Sequence, residues 1–130
     1  MKMRIEHIGI WTSDLEIMRD FYQTYFHMNC SERYLNDKKG FSSYFLSFEG
    51  GARIELMKRI DIPKGHGDKG TVNGLAHIAM SVGGKDVVDN LTKRLKLDGF
   101  EILGEPRTTG DGYYESVILD PEGNHVEITE

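Results

Sequence analysis

Residues 45–56 read Phe45-Leu46-Ser47-Phe48-Glu49-Gly50-Gly51-Ala52-Arg53-Ile54-Glu55-Leu56, and residues 117–128 read Val117-Ile118-Leu119-Asp120-Pro121-Glu122-Gly123-Asn124-His125-Val126-Glu127-Ile128. Aligned without a gap, they place Gly51 on Gly123, Ile54 on Val126 and Glu55 on Glu127. Each reads as two strands joined by a tight glycine-bearing turn. A repeat of this kind decides the architecture before any single element does.

The parallel extends upstream of both stretches. Arg4-Ile5-Glu6-His7-Ile8-Gly9-Ile10 and Leu75-Ala76-His77-Ile78-Ala79-Met80-Ser81-Val82 each read as a short strand carrying a histidine. Each is followed by a helix. The first is expected to start at Ser13, with Glu16 completing a capping box, and to bury Leu15, Met18, Tyr22 and Phe26. The second is expected from about Asp86, burying Val87, Val88, Leu91 and Leu95 and ending at Gly99. Between the halves, residues 60–74 hold Pro63 and four glycines, which reads as a flexible connector. The expected layout is one domain over 1–130, with module one at about 4–59, the connector at 60–74 and module two at about 75–130.

Alternation along a strand assigns the side chains to faces. His7 sides with Ile5, Gly9 and Trp11, against Ile8 and Ile10; Glu55 sides with Arg53 and Met57, against Ile54 and Leu56. In the second half, His77 sides with Ala79 and Ser81, and Glu127 with His125 and Thr129, against Ile78, Met80, Val82, Val126 and Ile128. The apolar faces are those the amphipathic helices should cover. Taken singly, each His or Glu is an ordinary polar residue on the wet side of a sheet. Taken together, two His and two Glu at equivalent places, beside the small residues Gly9 and Ala79, predict a pocket. Two imidazoles and two carboxylates suit a borderline divalent ion, with zinc or nickel favoured and cobalt, manganese or ferrous iron open.

Composition narrows the remaining classes. The chain has 130 residues, enough to bury a core without a staple. A formal charge of −5, with the basic residues scattered, argues against nucleic acid or an anionic membrane as the partner. No apolar run is long enough to span a bilayer, and MKMRIEHIGIW lacks the layout of a signal peptide, so a cytoplasmic location is expected. Cys30 is the only cysteine, so a metal would have to be held by histidines and carboxylates.

Through EHIGIWTSDLEIMRDFY, GGARIELM, GLAHIAMSV and LDPEGNHVEI, in that order, the chain resembles the vicinal oxygen chelate superfamily, which spans glyoxalases, bleomycin-resistance proteins and dioxygenases. The resemblance implies an α+β fold: paired βαβββ modules forming an open, cup-shaped mixed sheet with helices on the outer face. It also implies His7, Glu55, His77 and Glu127 as ligands of one divalent metal ion, the His/Glu/His/Glu set of the glyoxalase I-like branch. Bleomycin-binding members lack these ligands, dioxygenases and fosfomycin-resistance transferases carry a three-residue set, and methylmalonyl-CoA epimerases usually have Gln in place of Glu55. Where bacterial glyoxalase I carries a glutathione-contacting Arg and an Asn, this chain has Trp11 and Arg59.

The chemistry such a site suits is proton abstraction beside a carbonyl, through an enediolate stabilised by the metal. The resemblance gives Glu127 the role of base, with Glu55 as the second catalytic carboxylate. The expected function is a lactoylglutathione lyase-like lyase or isomerase acting on a small carbonyl compound or thiol adduct. Alternatives are a metal-dependent drug-modifying transferase, a non-catalytic small-molecule (antibiotic) binding protein, and a methylmalonyl-CoA epimerase-like enzyme. Trp11, Arg59 and Tyr114 are candidate substrate contacts, and a homodimer is expected because two modules leave sheet edges to cover. His125 reads as an exposed strand residue, and His27 and His66 as non-ligands; Cys30 reads as a small buried apolar residue.

Overall fold

The computed structural model describes residues 2–65 and 67–130, so His66 lies outside the described residues. The chain forms two compact units, Met1–Lys64 and Gly65–Glu130. Among the described residues, no helix is long and apolar enough to cross a membrane.

In the first unit, β1 (His7–Trp11) leads into α1 (Leu15–Phe26), followed by β2 (Asn29–Cys30), β3 (Tyr34–Asn36), β4 (Phe41–Ser47) and β5 (Arg53–Arg59). The sheet order is β1-β5-β4-β2, with β3 also on β4. In the second unit, β6 (His77–Ser81), α2 (Lys85–Leu97), β7 (Ile102–Thr108), β8 (Tyr114–Leu119) and β9 (His125–Thr129) give the order β6-β9-β8-β7. Both sheets are mixed and open. The first strand runs parallel to the last, and the remaining pairs are antiparallel. A parallel pair needs a crossover, and in each unit the helix supplies it.

The second unit is a βαβββ module, and the first is the same module with one strand split into β2 and β3. The interruption begins at Ser31. Its amide donates to Phe45 O (2.9 Å), while its hydroxyl oxygen accepts the Phe45 amide (2.9 Å), so a side chain stands in for a ladder carbonyl and the chain leaves the sheet. In β7 the register shifts twice, around Gly104 and before Arg107. Pro106 has no amide to donate, which an edge strand tolerates.

Each helix covers one face of its own sheet. Leu15, Met18, Tyr22 and Phe26 are buried as expected, joined by Phe21, and they pack with Tyr44, Leu46, Ile54 and Leu56. The N-cap of α1 is Asp14, whose carboxylate accepts the Ile17 amide (3.0 Å), one residue later than the Ser13 capping box. Glu16 turns instead to the sheet and accepts the Tyr44 hydroxyl proton (2.8 Å).

α2 buries Val88 and Leu95, but Val87 is exposed, Leu91 is half-buried, and Thr92 takes the third inward place. Thr92 can be buried because its hydroxyl contacts Val88 O (2.6 Å) and Ser116 Oγ (2.7 Å). α2 ends as expected at Gly99, in the left-handed region at φ 93°. The Gly99 and Phe100 amides return to Lys96 O and Leu95 O in a Schellman arrangement.

Candidate metal centre

The parallel pairing places the histidines and glutamates. In the first unit His7 is level with Arg53, and Gly9 with Glu55. His7 and Glu55 are therefore diagonal neighbours on the face away from α1, with Nε2 and Oε1 3.6 Å apart. The second unit repeats this register: His77 is level with His125, Ala79 with Glu127, and His77 Nε2 lies 3.3 Å from Glu127 Oε2. The small residue directly opposite each glutamate lets the imidazole reach across. Over Gly9 the remaining space is taken by the Met57 thioether, and a Cβ there would lie 2.8 Å from Met57 Cε.

These separations are long for a charge-assisted hydrogen bond, which favours about 2.7–2.9 Å. They match another geometry. Two donors each ~2.1 Å from one ion, at a tetrahedral angle, lie about 3.4 Å apart. Imidazole nitrogen with carboxylate oxygen is also a donor set that zinc and its neighbours accept. The structure brings together His7 with Glu55 and His77 with Glu127; among the described residues, no three His, Cys, Asp or Glu side chains form a single cluster able to hold an ion.

The surroundings of the two pairs differ. Beside His7 stand Phe45, edge-on at 5.3 Å, and Arg53, whose guanidinium lies 4.0 Å over the Phe45 ring. Farther along the same face, the Arg59 guanidinium lies 5.0 Å over Trp11, and Phe41 meets Trp11 edge-on at 6.3 Å. Asp61 binds Arg59 through Nε. Trp11 and Arg59 thus share a face with His7 and Glu55. The distance from Glu55 to Arg59 is four strand residues, about 13 Å.

In the second unit the neighbour of Glu127 is another carboxylate. Glu115 on β8 is only 7% exposed, and the β8–β9 register sets it diagonally across from Glu127 on the same face. Burial, then the charge of Glu127, push the Glu115 carboxyl above its ordinary value of 4.5. Alternation along β8 places Glu115 and Val117 on one side but does not by itself reveal this contact.

Tyr114 has the opposite parity. Its hydroxyl donates to Asp89 on α2 (2.6 Å), and Lys85 lies over its ring, so it belongs to the helix side and is not one of the side chains around His77 and Glu127.

His125 shares the face of His77 and Glu127 but is not the exposed residue expected. Its side chain is 15% exposed, its Nε2 lies 2.7 Å from Asp68 Oδ1, and Gly70 packs so closely on the ring that a Cβ would lie 2.4 Å from it. Asp68 also accepts the Gly70 amide, so this part of the connector folds into a turn against β9. His27 caps α1 in the left-handed region at φ 55°. Cys30 is half-buried, and burial pushes its thiol up, away from an activated thiolate.

The model of the Glyoxalase/Bleomycin resistance protein/Dioxygenase superfamily matches residues 4–128. Among solved structures, the chain resembles a glyoxylase/bleomycin resistance protein/dioxygenase domain from Frankia sp. EAN1pec, at TM-score 0.82 and 20% identity, covering 99% of this chain and 98% of that one. The trypanothione-dependent glyoxalase I of Leishmania major gives TM-score 0.79 and 20% identity over 99% and 87% of the two chains. Glyoxalase I from Zea mays gives 0.75 and 22% identity over 97% of this chain and 44% of the longer maize chain. At these identities the likeness is one of fold. No curated protein matches significantly.

The raised Glu115 carboxyl sets a pH dependence. Because the folded chain holds this proton more tightly than the unfolded chain, Glu115 lowers stability as pH rises above about 4.5. In metal-free protein, Glu115→Gln is expected to raise stability to urea at pH 7, with the gain vanishing below pH 4.5. A gain equal at both pH values, or none, would contradict a Glu115 carboxyl raised by burial beside Glu127.

Proposed function

This chain belongs to the glyoxalase/bleomycin resistance protein/dioxygenase superfamily, and on that premise we propose that it is a metal-dependent lyase or isomerase acting on a small carbonyl compound or thiol adduct. The observation that carries this reading is the repeated His/Glu pair, set at ligand spacing by the same strand register in both units. His7, Glu55, His77 and Glu127 would hold one divalent ion, with zinc or nickel favoured by the imidazoles. Such an ion would supply Lewis acidity to the substrate carbonyl.

The remaining steps fall to the chain's own residues. Glu127 takes the proton from the carbon beside the carbonyl and returns it to the neighbouring carbon, with Glu55 as the second carboxylate available to carry it. Trp11 presents a flat apolar surface to the substrate. Arg59 supports binding of a carboxylate, because Asp61 occupies its Nε and the terminal nitrogens have no partner among the described residues. The ligands would be complete without glutathione, and the Trp11 and Arg59 pair suits a carrier of different shape.

Glu127→Gln separates catalysis from binding. It keeps an oxygen for the metal but cannot accept the proton, so metal content is expected to fall modestly. Turnover, in an isomerisation assay across candidate thiol adducts, is expected to drop by roughly a hundred- to ten-thousand-fold, or about 3–5 kcal/mol of barrier. Near-normal turnover with metal retained would place the base elsewhere.

We also propose a homodimer, because β1 and β6 each pair on one side only within their own sheets, and symmetric association covers such edges. Sedimentation at micromolar concentration is expected to give twice the 14.8 kDa chain mass. The mass of one chain would refute the dimer.

A further inference from the structure

We propose that Glu6 is a positioning residue for His7, holding its imidazole in the tautomer and orientation that turn the Nε2 lone pair toward Glu55. Glu6 Oε1 lies 3.0 Å from His7 Nδ1. An ionised carboxylate can only accept, so the proton of the neutral imidazole must reside on Nδ1. Nε2 is then the free donor atom, and it is the nitrogen that faces Glu55. The consequence for metal binding rests on the reading of His7 as a ligand; the tautomer does not.

A single contact between two half-exposed side chains would be weak. Here it is one side of a closed ring of contacts. The same Glu6 oxygen accepts from Arg53 through Nε (3.2 Å) and Nη2. The Arg53 guanidinium lies over Phe45, and the Phe45 ring meets His7 edge-on. The Arg53 amide also donates to Glu6 O (2.9 Å), which pins the Glu6 backbone at the mouth of β1. The imidazole is thereby held at Nδ1 and against its ring, with only Nε2 left to bind. Orientation of this kind by a carboxylate is what fixes metal-ligating histidines and raises their basicity.

The second unit lacks the arrangement. Ala76 precedes His77 where Glu6 precedes His7, and His125 stands level with His77 where Arg53 stands level with His7. Among the described residues, the polar partner of the His77 ring is Glu127. The two histidines are therefore unequal: His7 is set before any ion arrives, and His77 is not.

Side-chain ¹⁵N–¹H correlation spectra of metal-free protein, recorded where the imidazoles are neutral, test this directly. His7 is expected to show the pattern of a proton on Nδ1, Glu6→Ala to move it to the Nε2-protonated form, and Glu6→Gln, which keeps an oxygen acceptor, to restore the wild-type pattern. His77 should not respond. His7 protonated on Nε2 in the wild type, or unchanged in Glu6→Ala, would overturn the proposal. Zinc titration is the second readout, with Glu6→Ala expected to bind roughly 10- to 100-fold more weakly and Glu6→Gln to recover part of the loss. If the wild type took up no zinc, nickel or cobalt, the metal reading would fail while the tautomer result would still decide the role of Glu6.

Discussion

The parallel pairing of the first and last strands in each unit is the constraint from which the site follows. It sets Gly9 against Glu55 and Ala79 against Glu127, so that a histidine two residues earlier reaches diagonally to the carboxylate. A slip of one residue would turn one partner of each pair into the core. The slip is opposed by Ile54, Leu56, Val126 and Ile128, whose burial under α1 or α2 requires that Arg53, Glu55, His125 and Glu127 face the other way. Packing on one side of each sheet thus places its His/Glu pair on the other. The crossover helix that parallel pairing demands is also what covers the apolar side.

Much of this could be read from the residues. The gap-free match of Phe45–Leu56 to Val117–Ile128 located both terminal hairpins, and the turns agree to the point that Gly51 and Gly123 share φ 84°. Period-two alternation sided the four candidate ligands correctly, because Ile and Val leave no doubt which face is buried. The third strand was less legible. β2 and β3 are too short to show a period, and β7 is bent around Gly104 and Pro106. Tyr114 was misplaced for a related reason: with Tyr113 beside it, parity alone could not say which ring faced α2. Glu115 could not be linked to Glu127, since their contact depends on the antiparallel register of β8 with β9. The fold of Asp68 and Gly70 onto His125 was hidden by a composition that reads as connector.

The units share a register but not a lining. Around His7 and Glu55 the face carries Phe45, Arg53, Trp11 and Arg59, aromatic rings each paired with a guanidinium. Around His77 and Glu127 it carries Glu115 and the small residues Ala79 and Ser81. A duplicated framework thus carries two divergent linings. Glu6 and Glu115 are carboxylates in opposite settings: Glu6 is exposed and contacts the His7 imidazole, while Glu115 is buried, its carboxyl pushed up beside Glu127.

The central claim is that two His/Glu pairs act as one site. Metal titration followed by exhaustive dialysis, on wild type, His7→Ala, His77→Ala and the double variant, tests it most directly. The account predicts about one zinc or nickel ion per wild-type chain, with either single variant weakening that one binding event by tens of fold, as loss of a ligand should. The double variant should then add less than the sum of the two single losses. If each single variant instead kept one ion at wild-type affinity, the pairs would be independent, and the shared site would be contradicted.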